Sequence, residues 1–232
     1  MLKNGLTSVE TKKISQPLHT VYAKCFFAAY ASFLLPIFSL HSTAGTRIFV
    51  DATTHFLWPL LIAIYIFKTI PGSLREFFSE FRVSISGVLI FVFLGFSFAC
   101  FYVYINKFNY SGINQNINFL KSINYLIISK MGFWGVLYLA STAAIHEEWL
   151  YKWILIRCFE DKTKLYKPIL VASPLFAITH ASQGFTAVIV TAIYSMITLL
   201  YYYKKRNLFN LITMHFIADL FLFSFILAWM FK

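Results

Sequence analysis

Long apolar runs, each about the length of a membrane-spanning helix, determine which folds this chain can adopt. The clearest run covers residues 83–105 and contains no Lys, Arg, Asp or Glu. A helix of about 20 apolar residues crosses the hydrocarbon core of a bilayer and satisfies its own backbone hydrogen bonds there. Of the 232 residues, 59% are hydrophobic and 12% are charged, which is about half the charged share of a soluble domain. The sequence therefore predicts an all-α polytopic membrane protein and excludes a soluble enzyme, a disordered chain and a secreted disulfide scaffold.

The apolar runs predict about seven transmembrane helices in a single membrane-embedded domain, residues 1–232. The fourth run exceeds a simple crossing at about 1.5 Å per residue, so we expect it to begin as an interfacial helix or as an extension beyond the bilayer. The predicted spans are 25–40, 56–70, 83–105, 125–158, 168–181, 185–203 and 208–231.

Positive charge is unevenly distributed between the predicted loops. The net charge is +11; with the N-terminus inside, 14 Lys and Arg fall on the cytoplasmic side and 5 on the other. This bias predicts a cytoplasmic N-terminus and a lipid bilayer, rather than nucleic acid, as the partner of the basic residues. The first run is either a retained helix or a cleavable signal peptide, and the retained helix is favoured because multi-span proteins commonly use their first helix as the signal.

Ionisable residues inside predicted spans mark the candidate site, because each costs at least about 2.5 kcal/mol on membrane-insertion scales. Glu148 and Lys152 are four residues apart and can form an ion pair, whereas Glu147 points about 100° away and stays available as a base. The same spacing lets an aspartate orient an imidazole in the last span and lets a Phe ring cover a second imidazole. The candidate residues are Glu147, Glu148, Lys152, Phe176, His180, His215 and Asp219.

The three groups lie at one predicted depth. Glu147, His180 and His215 are 10, 13 and 9 residues from the nearest cytoplasmic basic residue, which places them roughly 14–20 Å from the same membrane boundary. We therefore expect them to meet in one intramembrane cavity. Three interpretations of such a cluster remain open. The residues could join helices, they could form the proton pathway of a transporter, or they could catalyse hydrolysis. In hydrolysis Glu147 is the general base and the histidines orient water or stabilise an oxyanion.

The motifs Glu147-Glu148-x-x-x-Lys152, Phe176-x-x-x-His180 and His215-x-x-x-Asp219 resemble the signature of the CPBP family over residues 130–225. This family comprises prenyl-CAAX proteases of the Rce1 type and bacteriocin-processing or self-immunity (Abi) proteins. Its patterns are EExxxR, FxxxH and HxxxN or HxxxD, so Lys152 stands where the family has arginine. A lysine keeps the charge but loses the bidentate geometry of a guanidinium.

The resemblance implies an intramembrane glutamic endopeptidase that cleaves a membrane-attached or lipidated substrate near its C-terminus. By this resemblance Glu147 is the catalytic base and His180 helps to bind or activate the water. His215 and Asp219 hold the oxyanion or position the water, and Glu148 has a supporting role. The resemblance implies no cofactor, and a zinc ion held by one Glu and two His is the alternative. A non-proteolytic immunity or regulatory protein is the alternative within the family. The small size favours a bacterial inner membrane.

Overall fold

The computed structural model describes residues 17–32, 44–108, 124–159, 166–181 and 184–230. Every regular element in these ranges is helical, which confirms the all-α prediction. The helices are α1 (Leu18–Ser32), α2 (Ala44–Ala52), α3 (Trp58–Thr69), α4 (Ser73–Ser79), α5 (Ile85–Phe108), α6 (Asn124–Met131), α7 (Phe133–Glu148), α8 (Leu155–Cys158), α9 (Tyr166–Thr179), α10 (Phe185–Lys205) and α11 (Leu208–Met230). Single π-helical segments join α2 to α3 (Thr53–Leu57) and α7 to α8 (Trp149–Ile154).

Four of these helical stretches are long and apolar enough to cross a membrane, and the protein is a multi-pass membrane protein. The number seven stays a prediction, because α1 and α9 have only 15 and 14 residues and a full crossing needs about 20. The four stretches are Phe49–Thr69, Ile85–Tyr104, Phe185–Lys205 and Leu208–Phe225.

The long fourth run is broken, as its length suggested. Gly132 has a φ of 55°, a conformation that glycine adopts without steric cost, and it separates α6 from α7. Ile127 and Ile128 of α6 then pack against Val136 and Leu139 of α7. The segment before Gly132 is therefore a short helix packed on α7 and not part of one continuous helix.

The main core forms where α1 meets the π-helical segment after α7. Tyr22 packs edge-on against Trp153 with ring centroids 5.7 Å apart, and Phe26 packs on Tyr151 at 5.9 Å. On the other side of the molecule α11 packs against both α5 and α7, while α9 packs against α10. The candidate residues thus lie on helices that are held by the protein core.

Arg157 lies at the end of the predicted fourth run and was counted among the basic residues of the cytoplasmic side. It is buried in the last turn of the helix that begins at α7. Its Nη2 lies 2.6 Å from Glu76 Oε1 and 2.9 Å from Glu80 Oε1, and its guanidinium lies 4.2 Å from the Trp153 ring centroid. Tyr202 accepts a hydrogen bond from Nη1 at 3.1 Å and donates its own to Glu80. Partners distant in sequence therefore neutralise and bury this charge.

Candidate active site

Four helices bring the candidate side chains together. Glu147 and Glu148 end α7, and Lys152 lies in the π-helical segment that follows. Such segments recur at functional sites because the extra residue changes the direction of the side chains around it. Phe176 lies in the last turn of α9 and His180 directly after it. His215 and Asp219 lie on α11, and α10 adds Tyr194, which the sequence motifs do not include.

Glu148 contacts three polar side chains. Its Oε1 accepts hydrogen bonds from Tyr194 Oη at 3.2 Å and from His215 Nδ1 at 2.9 Å. Its Oε2 lies 3.6 Å from Lys152 Nζ, and both side chains of this pair are fully buried. The ion pair expected from the spacing is therefore present. A fully buried carboxylate with these partners is fixed in position, and its Oε2 is paired with the lysine by charge and not by a hydrogen bond.

His215 connects three carboxylates. Its Nδ1 donates to Glu148, while its Nε2 lies 3.6 Å from Glu147 Oε2 and 3.5 Å from Asp219 Oδ2. The spacing predicted that Asp219 orients this imidazole, but the shortest contact is with Glu148. Glu148 thus fixes the ring through Nδ1 and leaves Nε2 facing the two partly exposed carboxylates.

Glu147 differs from its neighbour in the contacts it makes. Its side chain is 12% exposed, and its Oε2 has no hydrogen-bond partner among the described residues. This oxygen lies 3.6 Å from His215 Nε2, a distance longer than a hydrogen bond. One of two adjacent carboxylates is therefore fully buried and accepts two hydrogen bonds through Oε1, and the other is partly exposed beside an imidazole.

His180 lies close to this group through Phe176. The His180 and Phe176 ring centroids are 4.9 Å apart, and the His215 ring lies 6.3 Å from the same phenyl ring. His180 Nδ1 lies 3.1 Å from the Phe176 carbonyl oxygen and 3.0 Å from Thr179 Oγ1. Because a carbonyl only accepts, Nδ1 carries the proton in this arrangement and the neutral ring has its lone pair on Nε2.

Lys152 also contacts aromatic rings. Its Nζ lies 5.0 Å from the Phe176 ring centroid and 5.9 Å from that of Tyr194, close enough for cation–π attraction between buried groups. Phe176 therefore contacts the lysine as well as both imidazoles. The structure brings all seven sequence-predicted residues into one connected group.

Two further polar residues near this group were missed. Asp51 and His55 fall between the predicted spans 25–40 and 56–70, but Asp51 is buried in α2 and His55 lies in the π-helical segment after it. The signal for both was their i,i+4 spacing, the same spacing that singled out His215 and Asp219. Among the residues described, no group of three or more His, Cys, Asp or Glu side chains has an arrangement that could hold a metal ion.

Comparison with known proteins identifies the region that carries the site. Residues 129–221 match the family model for type II CAAX prenyl endopeptidase, Rce1-like. The family resemblance of the three motifs is thereby confirmed, over about two fifths of the chain. No curated protein and no solved structure matches the chain. At the level of the family, the match supports a membrane protease that acts on a peptide substrate.

Proposed function

We propose that this protein is an intramembrane endopeptidase in which Glu147 activates water to hydrolyse a peptide bond of a membrane-attached, lipidated substrate. One observation carries the proposal: the two adjacent glutamates have opposite surroundings. Glu148 is fully buried and accepts hydrogen bonds from Tyr194 and His215 through Oε1, whereas the Glu147 side chain is 12% exposed and its Oε2 has no hydrogen-bond partner in the described part of the chain. A general base needs an acceptor atom that a water molecule can reach.

In the proposed reaction Glu147 takes one proton from a water molecule while the water oxygen attacks the carbonyl carbon of the scissile bond. The attack gives a tetrahedral intermediate with a negative oxygen. As the carbon–nitrogen bond breaks, Glu147 returns the proton to the leaving nitrogen, which departs as an amine, and the other product is a carboxylic acid. The glutamate ends as it began, so the cycle needs no further reactant.

The two histidines take different parts in this scheme. With its proton on Nδ1, His180 offers Nε2 as an acceptor, which suits a water molecule. His215 Nδ1 donates to Glu148, so its Nε2 is the atom that holds the oxyanion or positions the water, with Asp219 3.5 Å away. Glu148, Lys152 and Tyr194 hold His215 and the end of α7 in place.

The substrate class and the orientation are inferred from the family and from charge. A type II CAAX prenyl endopeptidase domain favours a lipidated protein or peptide cleaved near its C-terminus. The excess of Lys and Arg in the predicted inside segments favours a cytoplasmic N-terminus, and we propose a bacterial inner membrane as the location. The mechanism needs no cofactor.

The test is cleavage of a prenylated peptide with a C-terminal CAAX sequence, carrying a fluorophore and a quencher on either side of the scissile bond, by protein in liposomes. Glu147→Gln and His180→Ala are expected to abolish cleavage while the thermal transition in detergent is retained. Glu76→Gln is the matched control, because Glu76 is 52% exposed and lies on α4 away from the site. Normal cleavage by both site variants would refute the mechanism.

The same liposomes test the alternatives. An unchanged rate after EDTA treatment supports water activation by the glutamate alone; loss of activity that zinc restores would establish a metalloprotease instead. Solute uptake driven by a proton gradient and lost in Glu147→Gln would identify a transporter. Folded wild-type protein that cleaves none of a panel of prenylated peptides would favour the immunity or regulatory function.

A further inference from the structure

A second acid–imidazole pair lies outside the region matched by the family model. Asp51 Oδ1 is 3.1 Å from His55 Nδ1, and the Asp51 side chain is almost fully buried. The other carboxylate oxygen, Oδ2, accepts a hydrogen bond from the Tyr138 hydroxyl at 3.1 Å. Tyr138 is on α7, the helix that ends in the candidate base. Asp51 therefore connects the second described helix to the helix of the active site.

The imidazole of this pair reaches the residue next to the proposed base. The His55 ring lies 5.7 Å from the ring of His146, with the two planes nearly perpendicular. His146 directly precedes Glu147 and is itself buried. His55 thus faces Asp51 on its own helix and His146 on α7.

The local backbone explains why His55 has this position. Pro59 lacks an N–H, so the carbonyl of His55 cannot receive the usual hydrogen bond from four residues later. The chain there is π-helical over Thr53–Leu57, and Trp58 N–H bonds to the Thr53 carbonyl five residues earlier. The extra residue in this turn changes the direction of the side chains around it. A second π-helical segment follows Glu148 directly, so both helices depart from α-helical geometry beside the same site.

We propose that Asp51 and His55 are a positioning pair of the active site, which holds the end of α7, and with it Glu147, through Tyr138 and His146. This inference rests on the proposed function. The pair acts through other residues and touches no reacting atom. A general base must be held within reach of the proton that it takes, so support of α7 bears on the rate.

Simple helix packing is a weaker explanation of the pair. An aspartate inside a membrane-spanning helix costs at least about 2.5 kcal/mol on insertion scales, and apolar residues of similar size join helices without this cost. Hydrogen bonding to Tyr138 and His55 offsets the cost only in this arrangement. The cost is explained if the pair fixes the helix that carries Glu147.

The experiment measures kcat and KM for Asp51→Asn and His55→Asn in the liposome assay, next to His19→Asn. Asparagine at 55 keeps a nitrogen near Nδ1 but removes the ring that contacts His146; His19 is an exposed histidine on α1 and provides the matched control. We expect kcat to fall at least about 10-fold in both pair variants, the size typical of residues that orient a catalytic group, with KM within about twofold. Values for both within twofold of His19→Asn would overturn the inference.

Two further variants make the outcome decisive. Tyr138→Phe removes one hydrogen bond to Asp51 and leaves His55 in place. If the pair variants unfold, a kcat loss of a few-fold in Tyr138→Phe supports the inference, and an unchanged kcat refutes it. Glu147→Gln separates this inference from the proposed function. Inactive Glu147→Gln with fully active His55→Asn would retain the glutamate mechanism and reject the positioning pair. Active Glu147→Gln would reject both.

Discussion

The buried guanidinium of Arg157 allows a test of the fold that does not depend on activity. Arg157 Nη2 contacts two carboxylates on the same side of the molecule, Glu76 at 2.6 Å and Glu80 at 2.9 Å. The Glu76 side chain is 52% exposed, whereas that of Glu80 is only 6% exposed. Distance alone would rank Glu76 as the stronger partner. Burial predicts the reverse order, because water screens an exposed ion pair and leaves a buried charge without an alternative partner.

Glu80→Gln is expected to lower the free energy of unfolding by about 3 kcal/mol, the lower end of the range for breaking a buried ion pair. The lower end applies because Glu76 still contacts the guanidinium. The variant also replaces a carboxylate oxygen beside the Tyr202 hydroxyl, which donates to Glu80. Glu76→Gln is expected to cost less than about 1 kcal/mol. With about 2–4 °C per kcal/mol for a chain of this size, Tm falls by about 6–12 °C in the first variant and by less than about 4 °C in the second.

The assay is thermal unfolding of purified protein in one detergent, followed by the fluorescence of its tryptophans. Trp153 reports directly, because the Arg157 guanidinium lies on its ring. Both variants remove one formal negative charge, so net charge does not distinguish them. A Tm loss for Glu76→Gln equal to or larger than that for Glu80→Gln would show that burial does not set the strength of these pairs.

Two other predictions concern packing around the site. Lys152→Arg is expected to retain cleavage. Lys152→Met leaves Glu148 buried beside an uncharged side chain, so it is expected to lose about 3–5 kcal/mol of stability and most of its activity. Equal cleavage by both variants would contradict a role for the charge. Gly95→Ala places a Cβ against the backbone carbonyl of Met214 on α11 and should cost about 1–3 kcal/mol and reduce kcat. The control is Gly87→Ala on the same helix, whose added Cβ meets mainly a rotatable serine hydroxyl. This variant should leave both Tm and cleavage near wild type. A similar loss in the two alanine variants would argue against close packing of α5 on α11.

The candidate site could be predicted from the sequence because charges are costly in lipid. Glu147, His180 and His215 stand out in apolar runs, and their distances from the basic loops indicated a common depth. The ion pair of Glu148 with Lys152 followed from helical spacing alone and is present at 3.6 Å. These inferences needed only local geometry and the position of the membrane boundary.

Partners distant in sequence could not be predicted in this way. Asp51 is buried because Tyr138, 87 residues later, donates to it, and Arg157 is buried because carboxylates 77 and 81 residues earlier neutralise it. Without these contacts, a polar residue near the end of a run is best interpreted as a loop residue. The π-helical segments were not predicted either, because hydrophobic periodicity is too coarse to show one extra residue in a turn. Pro59 was the local signal for the π-helical segment before α3.

The helix that begins with α7 carries two polar groups with different roles. Near its middle, Glu148 and Lys152 are fully buried and paired, and at its end Arg157 is anchored to α4 by Glu76 and to α10 by Tyr202. These residues have the surroundings expected of structural groups, because each is buried and ion-paired. Glu147 lies on the same helix but is partly exposed, and the described residues leave its Oε2 without a hydrogen bond. The buried pairs beside Glu147 hold its helix in place, while the Glu147 carboxylate itself lacks the hydrogen bond that would stabilise it. This arrangement suits the activation of water, because a general base must keep its position and still have an oxygen available for the proton.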